Sequence, residues 1–181
     1  LHEITVCALL DDPAVSGVVL NYRDITERAR LQRQLEHQAN TDVLTGLPNR
    51  AYLQDAISRI TRTHRDVAVL FIDLDGFKVV NDSLGHAAGD RLLQSVARRL
   101  AAGIRADDLV ARLGGDEFTV VVTDERVPEA QLLAERLITS LNEPFLVGDQ
   151  VVFVGASIGI ASTDEGERSP DALMRNADAA M

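Results

Sequence analysis

The sequence contains a single cysteine, Cys7, among its 181 residues, so it cannot form an internal disulfide or a thiolate metal cluster. A chain with so little cysteine is typical of a reducing compartment, and we expect a cytoplasmic protein, although its parent could be membrane-anchored. No apolar run is long enough to cross a bilayer, and no signal peptide is recognisable. The longest apolar runs, such as residues 67–72, have the length of a β-strand.

Positive charge is also scarce, with 18 Lys and Arg against 28 Asp and Glu and a formal net charge of −10. An acidic surface repels a phosphate backbone, so we expect no nucleic-acid partner. A nucleotide is still compatible with this charge if metal ions mask the local carboxylates. The hydrophobic fraction of 46% is ordinary for a globular protein and is sufficient for one core.

The first 40 residues differ in pattern from the rest. Residues 1–24 are expected to contain two strands, with a turn at residues 11–13 and a strand at residues 15–22. Residues 25–40 predict a linker helix, capped by Asp24 or Thr26, in which Leu31 and Leu35 share one stripe. That helix is either a solvated connector or half of a short coiled coil. Because the chain begins without Met and stops in a helical pattern, we expect an excerpt of a longer protein.

From residue 41 onward, helices and strands alternate in a way that indicates an α+β fold. Helices are predicted at residues 51–62, 83–102 and 128–142, and another begins at Ser169-Pro170. Strands are predicted at residues 67–73, 109–113, 118–122 and 151–161.

Carboxylates are concentrated at two turns. Asp73 and Asp75 end a hydrophobic strand and would share one face, with Leu74 pointing inward. Carboxylates beside a core are costly unless a cation neutralises them, and Mg²⁺ prefers hard oxygen ligands. The hairpin after Gly114-Gly115 adds Asp116 and Glu117. If this hairpin lies beside the Asp73 strand, the acids converge on a site for metal-assisted phosphoryl or nucleotidyl transfer. Alternatively, the two aspartates simply end a strand in water, and the hairpin is an acidic, solvent-exposed turn.

Polar residues follow the acidic strand. Lys78 could offset charge on a leaving phosphate, or it could be a solvated surface lysine. Asn81 and either Asp82 or Asp90 could recognise the edge of a guanine, although Asn81 and Asp82 could equally cap a helix. His86, in the same loop, is more typical of a surface or structural histidine than of a catalyst.

Taken together, these motifs resemble the GGDEF-domain family of diguanylate cyclases. The resemblance covers residue 40 to the end, in the family's order, and its motifs are 42–50 (DVLTGLPNR), 71–78 (FIDLDGFK), 81–90 (NDSLGHAAGD), 111–118 (ARLGGDEF) and 157–161 (SIGIA). It implies a palm-like domain with a central, mainly antiparallel sheet flanked by helices. It also implies condensation of two GTP into cyclic di-GMP and two pyrophosphates by a homodimer, with two Mg²⁺ (or Mn²⁺) per active site.

The resemblance also assigns roles to individual residues. Metal would be held by Asp73, Asp116 and Glu117, with the carbonyl of Leu74, and Glu117 would alternatively assist deprotonation of the 3′-hydroxyl. Catalysis is assigned to Glu117, Asp116 and Lys78. Substrate contacts are assigned to six residues: Asn81, Asp90, His86, Gly76, Phe77 and Gly115.

The resemblance extends to regulation. Arg105 and Asp108 match the family's RxxD product-inhibition motif, with Arg136 as a possible second contact, although both could instead be exposed charges of a turn. Residues 1–24 resemble the C-terminal end of a PAS sensor domain and residues 25–40 its signalling helix, followed by the cyclase domain at residues 41–181. The domain stops before the basic residues and last strand that the family carries.

Two other functions compete with this interpretation. A non-catalytic member would bind GTP or cyclic di-GMP as a receptor, which degenerate hairpin acids would favour. A pure interaction module built on the linker helix would bind no nucleotide. A phosphodiesterase would need a second catalytic domain, which this sequence does not contain.

Overall fold

The computed structural model describes residues 2–9, 17–64, 66–163 and 169–181. The chain divides into two units, Leu1–Ala39 and Asn40–Met181. The predicted turn at residues 11–13 and the start of the predicted strand at 15–22 lie outside the described residues. None of the helices in these ranges is long and apolar enough to span a membrane.

The N-terminal unit is a β-hairpin followed by a helix. Strands β1 (His2–Leu9) and β2 (Gly17–Asp24) pair antiparallel, and helix α1 covers Thr26–Asn40. The carboxylate of Asp24 accepts a hydrogen bond from the Thr26 amide at 2.9 Å, as expected of a residue that starts a helix. Leu31 and Leu35 are 53% and 62% exposed, so their stripe is uncovered within this unit.

The larger unit is a three-layer arrangement of helices and strands. Its helices are α2 (Arg50–Thr63), α3 (Phe77–Leu84), α4 (His86–Gly103), a 3₁₀ helix (Asp124–Glu129), α5 (Ala130–Leu141) and α6 (Pro170–Ala179). Its strands are β3 (Val67–Asp75), β4 (Leu109–Gly114), β5 (Glu117–Thr123), β6 (Phe145–Val147), β7 (Gln150–Val152) and β8 (Gly155–Ser162).

The central sheet has four strands in the order β4-β5-β3-β8, and every pairing in it is antiparallel. A separate two-stranded hairpin joins β6 to β7. The expected α+β fold with a mainly antiparallel sheet is therefore confirmed.

Strand β3 lies inside the sheet and contributes to two hydrophobic cores. One core contains Leu70 and Ile72 together with apolar residues of α4 and α5. The other contains Val69 and Phe71 together with residues of α2 and α6. Successive side chains of a strand point to opposite faces, so the unbroken apolar run is what a strand covered on both sides requires.

Two predicted elements are wrong in extent. The helix predicted at residues 83–102 is two helices, because the chain breaks at Gly85, whose φ of 82° is a left-handed conformation that favours glycine. Asn81 and Asp82 therefore lie within α3 and are neither loop residues nor caps. The strand predicted at residues 151–161 is interrupted at Phe153 and Val154, so its two parts belong to different sheets.

A single arginine holds the end of α5 against α4. The guanidinium of Arg99 donates to the carbonyl oxygens of Ser140 at 2.9 Å, Glu143 at 2.7 Å and Pro144 at 2.9 Å. It also lies 3.6 Å from the ring centroid of Phe145, which is a cation–π contact. One of the last carbonyl groups of α5, that of Ser140, and two carbonyl groups of the segment after the helix thereby accept from one side chain of α4.

We expect Arg99→Ala to lower the free energy of unfolding by about 2–3 kcal/mol, since three hydrogen bonds from a charged donor and a cation–π contact are lost. Urea unfolding followed by circular dichroism measures the change. The matched control is Arg98→Ala, because Arg98 bonds only to Gln94 and Ser95 of its own helix and should cost no more than about 0.5 kcal/mol. Equal losses in the two variants would contradict the assignment.

Candidate active site

The sheet brings two of the acidic residues directly opposite each other. In the antiparallel register of β3 and β5, Asp73 is the partner of Glu117, and Asp116 precedes Glu117 in the turn. Asp75, two residues further along β3, instead accepts a hydrogen bond from the hydroxyl of Ser157 at 3.0 Å. Leu74 is 2% exposed and packs in the core. The fold therefore places the acidic hairpin beside the Asp73 strand, which was the condition set in the sequence analysis.

The electrostatics of Asp73 show that these carboxylates act on one another. Its pKa is raised above the ordinary value, first by burial and then by the negative charges of Asp116, Glu117, Asp75 and Asp178. A raised pKa in a carboxyl group means that its charged form is disfavoured where it sits. Asp178, on α6, was not singled out in the sequence, because its proximity depends on how α6 packs on the sheet.

The donor set fits a hard divalent cation that is shared with a substrate. Carboxylate oxygens of Asp73, Asp116 and Glu117, with the carbonyl of Leu74, are the ligand type that Mg²⁺ prefers. Across the described ranges, no three His, Cys, Asp or Glu side chains are placed to hold a metal ion by themselves. Mg²⁺ commonly takes one or two carboxylates and completes its shell with phosphate and water oxygens, and this site fits that pattern better than a closed protein cage.

The turn that carries Asp116 is fixed by a buried arginine. Arg112, 9% exposed, donates from Nε and Nη2 to the carbonyl oxygen of Gly115 at 3.1 and 2.6 Å. Its Nη1 bonds both oxygens of Asp42 at 2.9 and 3.0 Å. Gly115 has a φ of 51°, a left-handed conformation that a side chain would strain. The turn is thus tied to the segment that precedes α2.

Asp42 is itself held in the charged form. Burial alone would raise the pKa of Asp42, but hydrogen bonds from Thr45 and Arg112 outweigh it and leave the pKa below its ordinary value. The amide and hydroxyl of Thr45 donate to the same carboxylate at 2.9 and 2.6 Å. The DVLTGLPNR segment therefore supports the acidic hairpin, a role that the sequence analysis did not assign to it.

Glu117 already has a counter-ion. Nη2 of Arg50 lies 3.4 Å from Oε2 of Glu117, and Arg50 opens α2 directly after Asn49, whose side chain accepts from the Tyr52 amide at 3.0 Å. The side chains of Arg50 and Glu117 are 57% and 40% exposed, so the pair is weak and Glu117 is still accessible.

The remaining predicted substrate residues cluster where β3 gives way to α3 and α4. Gly76 and Phe77 mark the start of α3, and Lys78 is exposed in its first turn. His86, the first residue of α4, is also exposed.

Close packing of α3 on α4 places Asn81 beside Gly89, the residue that precedes Asp90. A Cβ built on Gly89 would lie 2.0 Å from Oδ1 of Asn81 and 3.2 Å from the ring of Phe77. The helices approach closely only because Gly89 has no side chain, and this places the Asn81 amide beside the residue that precedes Asp90. Gly89 is therefore a positioning residue that the sequence analysis quoted without assigning a role.

The RxxD residues occupy a separate place, before β4. Arg105 is exposed, whereas the side chain of Asp108 is only 4% exposed and is paired with Arg126 at 3.1 Å. The expected alternative of two exposed charges is therefore wrong for Asp108. Arg136 donates to the carbonyl oxygen of Gly103 at 3.1 Å. Arg126 was not identified from the sequence, since no local pattern links it to a residue 18 positions earlier.

We expect Asp73→Asn to raise the free energy of unfolding at pH 7 without divalent cations by roughly 0.5–2 kcal/mol, because it relieves charge repulsion. Since the folded-state pKa of Asp73 is raised, the gain is largest above that pKa and shrinks as the pH falls through it. Urea unfolding at several pH values measures this. Asp75→Asn is the control and should gain less, because the repulsion that it relieves at Asp73 is offset by a weaker bond from Ser157. A loss of stability in Asp73→Asn would contradict the prediction.

Comparison with known proteins matches this chain to one family. The model of the family "Diguanylate cyclase, GGDEF domain" matches residues 39–181. The bifunctional diguanylate cyclase/cyclic di-GMP phosphodiesterase MucR of Pseudomonas aeruginosa is 46% identical over 160 residues, which is 86% of this chain and 23% of that protein. The probable diguanylate cyclase DgcE of Escherichia coli is 41% identical over 184 residues, 99% of this chain and 17% of that protein.

Solved structures of the same family have a similar fold. The GGDEF domain of TpbB (YfiN) from Pseudomonas aeruginosa has a TM-score of 0.74 and 43% identity, covering 77% of this chain and 85% of that one. The chain spans less than a quarter of the length of MucR and DgcE. With the family model covering most of its residues, this chain belongs to the family of diguanylate cyclase GGDEF domains.

Proposed function

We propose that this domain is a diguanylate cyclase that condenses two GTP into cyclic di-GMP and two pyrophosphates. The observation that carries the proposal is the register of β3 and β5, which sets Asp73 opposite Glu117 next to Asp116. The raised pKa of Asp73 supports a site built for positive charge. The family and its named cyclases give the reaction class.

In each bond-forming step, the 3′-hydroxyl of one GTP attacks the α-phosphorus of the other, and pyrophosphate leaves. Two bound Mg²⁺ (or Mn²⁺) would lower the pKa of the hydroxyl and neutralise the triphosphate. Asp73, Asp116 and Glu117 would hold these ions with the Leu74 carbonyl, and Glu117 would alternatively accept the hydroxyl proton. Lys78, exposed in the first turn of α3, would offset charge on the leaving phosphates.

Substrate recognition is proposed at the corner between α3 and α4. The Asn81 amide can donate to guanine acceptors, while Asp90 can accept from the ring N–H and amino group. Gly76 and Phe77 at the start of α3, Gly115 in the hairpin and His86 at the start of α4 would contact the rest of the nucleotide. Their exposed or half-exposed positions are compatible with access by a ligand.

We further propose that catalysis needs a homodimer. Each domain has one set of these residues, so the second GTP must be presented by a second copy. Residues 1–24 and 25–40 would be the end of a PAS-type sensor and its signalling helix, which would bring two domains together. The hairpin of β1 and β2 and the exposed leucine stripe of α1 support this proposal.

We also propose a site for inhibition by the product, in which Arg105 and Asp108 would bind cyclic di-GMP.

The decisive measurement is GTP turnover with Mg²⁺ in the chain and in Glu117→Gln. We expect cyclic di-GMP from the wild type and a rate lower by at least about 100-fold in the variant, since a metal ligand or general base is lost. Glu135→Gln, an exposed change on α5, is the matched control and should retain the rate. A folded dimer that binds GTP without forming product would move the domain to the receptor class.

Guanine recognition can be tested through Gly89→Ala. The added methyl group would displace the Asn81 amide, so we expect KM for GTP to rise by roughly tenfold, the cost of about one hydrogen bond. In an Asn81→Ala background the same change should have much less effect, because the displaced amide is gone and only the 3.2 Å approach to the Phe77 ring remains. The control is Gly103→Ala in the same helix, whose methyl group would meet only the end of Leu137. A rise in KM that persists without Asn81 would refute the positioning role.

A further inference from the structure

Both residues of the RxxD motif are held by charges of one neighbouring segment, the 3₁₀ helix. Oδ2 of Asp108 accepts from Nη2 of Arg126 at 3.1 Å and from the backbone amide of Arg105 at 2.9 Å. The Asp108 side chain is only 4% exposed. An oxygen that already has two donors, on a side chain with so little exposed surface, is poorly available to a ligand.

The contacts continue to Arg105. Nη1 of Arg126 donates to Oε2 of Glu129 at 2.9 Å, and the same oxygen lies 4.0 Å from Nη2 of Arg105. The row Asp108, Arg126, Glu129 and Arg105 thus alternates in sign, and each charge in it faces an opposite one.

The segment that supplies Arg126 is well anchored. Val127, the next residue, is 7% exposed and packs in the main core. Glu129 precedes the first residue of α5, where a negative charge is favoured by the helix dipole. Arg126 is itself 9% exposed, and its Nε has no hydrogen-bond partner among the described residues. The guanidinium of Arg126 is therefore buried, with Nη1 and Nη2 bonded to Glu129 and Asp108 and with Nε unsatisfied among the described residues.

We propose that Arg126 is a latch on the product-inhibition site: it holds Asp108 inward and so raises the concentration of cyclic di-GMP needed to inhibit the enzyme. This inference rests on the proposed function, since it concerns the regulation of that site. A guanine edge presents a ring N–H and an amino group, which are best met by both oxygens of one carboxylate. Binding through Asp108 must therefore break or weaken its pair with Arg126.

The cost of opening the latch sets the affinity for product. Breaking one side of a buried ion pair is strongly unfavourable, because the remaining charge is left unpaired. Without Arg126, Asp108 has no such partner to give up, and the guanine donors supply the neutralising contacts. Arg105 remains exposed to grip a phosphate, so the rest of the site is unchanged.

The test is calorimetric binding of cyclic di-GMP to the chain in a Glu117→Gln background, which separates binding from turnover. We expect Arg126→Met to lower Kd by roughly tenfold or more. This gain would run against long-range electrostatics, because the variant loses a positive charge near an anionic ligand. Arg98→Met removes the same charge from an exposed site on α4 and should leave Kd unchanged or slightly raised. Adding Asp108→Asn to Arg126→Met should reverse the gain.

A second variant guards against misfolding of the first. Arg126→Lys keeps a positive charge beside Asp108 but lacks the forked guanidinium that bonds to both Asp108 and Glu129. Its Kd for cyclic di-GMP should therefore lie between that of the wild-type arginine and that of Arg126→Met. Unchanged or weaker affinity in the folded variants, or no binding by any of them, would overturn the latch. GTP turnover with an intact Glu117 tests the cyclase separately. If the chain shows no turnover but the Kd still shifts, the role of Arg126 is supported and the proposed cyclase activity is refuted.

Discussion

The rest of the candidate site depends on the hydrogen bonds that the guanidinium of Arg112 makes with Asp42 and Gly115. This guanidinium lies almost wholly out of water and is compensated by both oxygens of Asp42 and by the carbonyl of Gly115. A buried arginine is stable only when it is paired so completely, and a lysine could not span both partners. This side chain connects the segment before α2 to the acidic hairpin. The register that places Glu117 opposite Asp73 is therefore supported from outside the sheet as well as within it.

The acidic end of the sheet works against folding. Asp73 sits where burial and four other carboxylates disfavour its charge, near the end of a strand whose apolar residues are all buried. The two cores around β3 provide the stability that lets this end remain electrostatically frustrated. A site with unmet negative charge is suited to attract a cation with its substrate.

How far the sequence predicts this structure depends on the range of the interactions. Strand β3 and the hairpin of β4 and β5 follow from local apolar patterns and two glycines. The pairing of β3 with β5, which sets Asp73 opposite Glu117, was only a condition in the sequence analysis, because it joins segments far apart in the chain. The division of α3 from α4 was missed, because the apolar spacing runs on past Gly85 and one glycine is a weak signal. Phe153 and Val154 continue an apolar run, which hid the change of sheet between β7 and β8. Arg50, Arg126 and Asp178 act over long sequence separations, for which a single sequence gives no pattern.

The ion pair between Arg50 and Glu117 has a consequence for how the site fills. Since Glu117 already has a partner, a cation that binds there would compete with the guanidinium of Arg50, and loading would be an exchange of counter-ions. Once displaced, Arg50 would be a free positive group at the N-terminus of α2, where backbone amides also favour anions. The same event that charges the site with metal would thus release an arginine towards the phosphates that accompany it. Loading of metal and of nucleotide would then be coupled through one side chain.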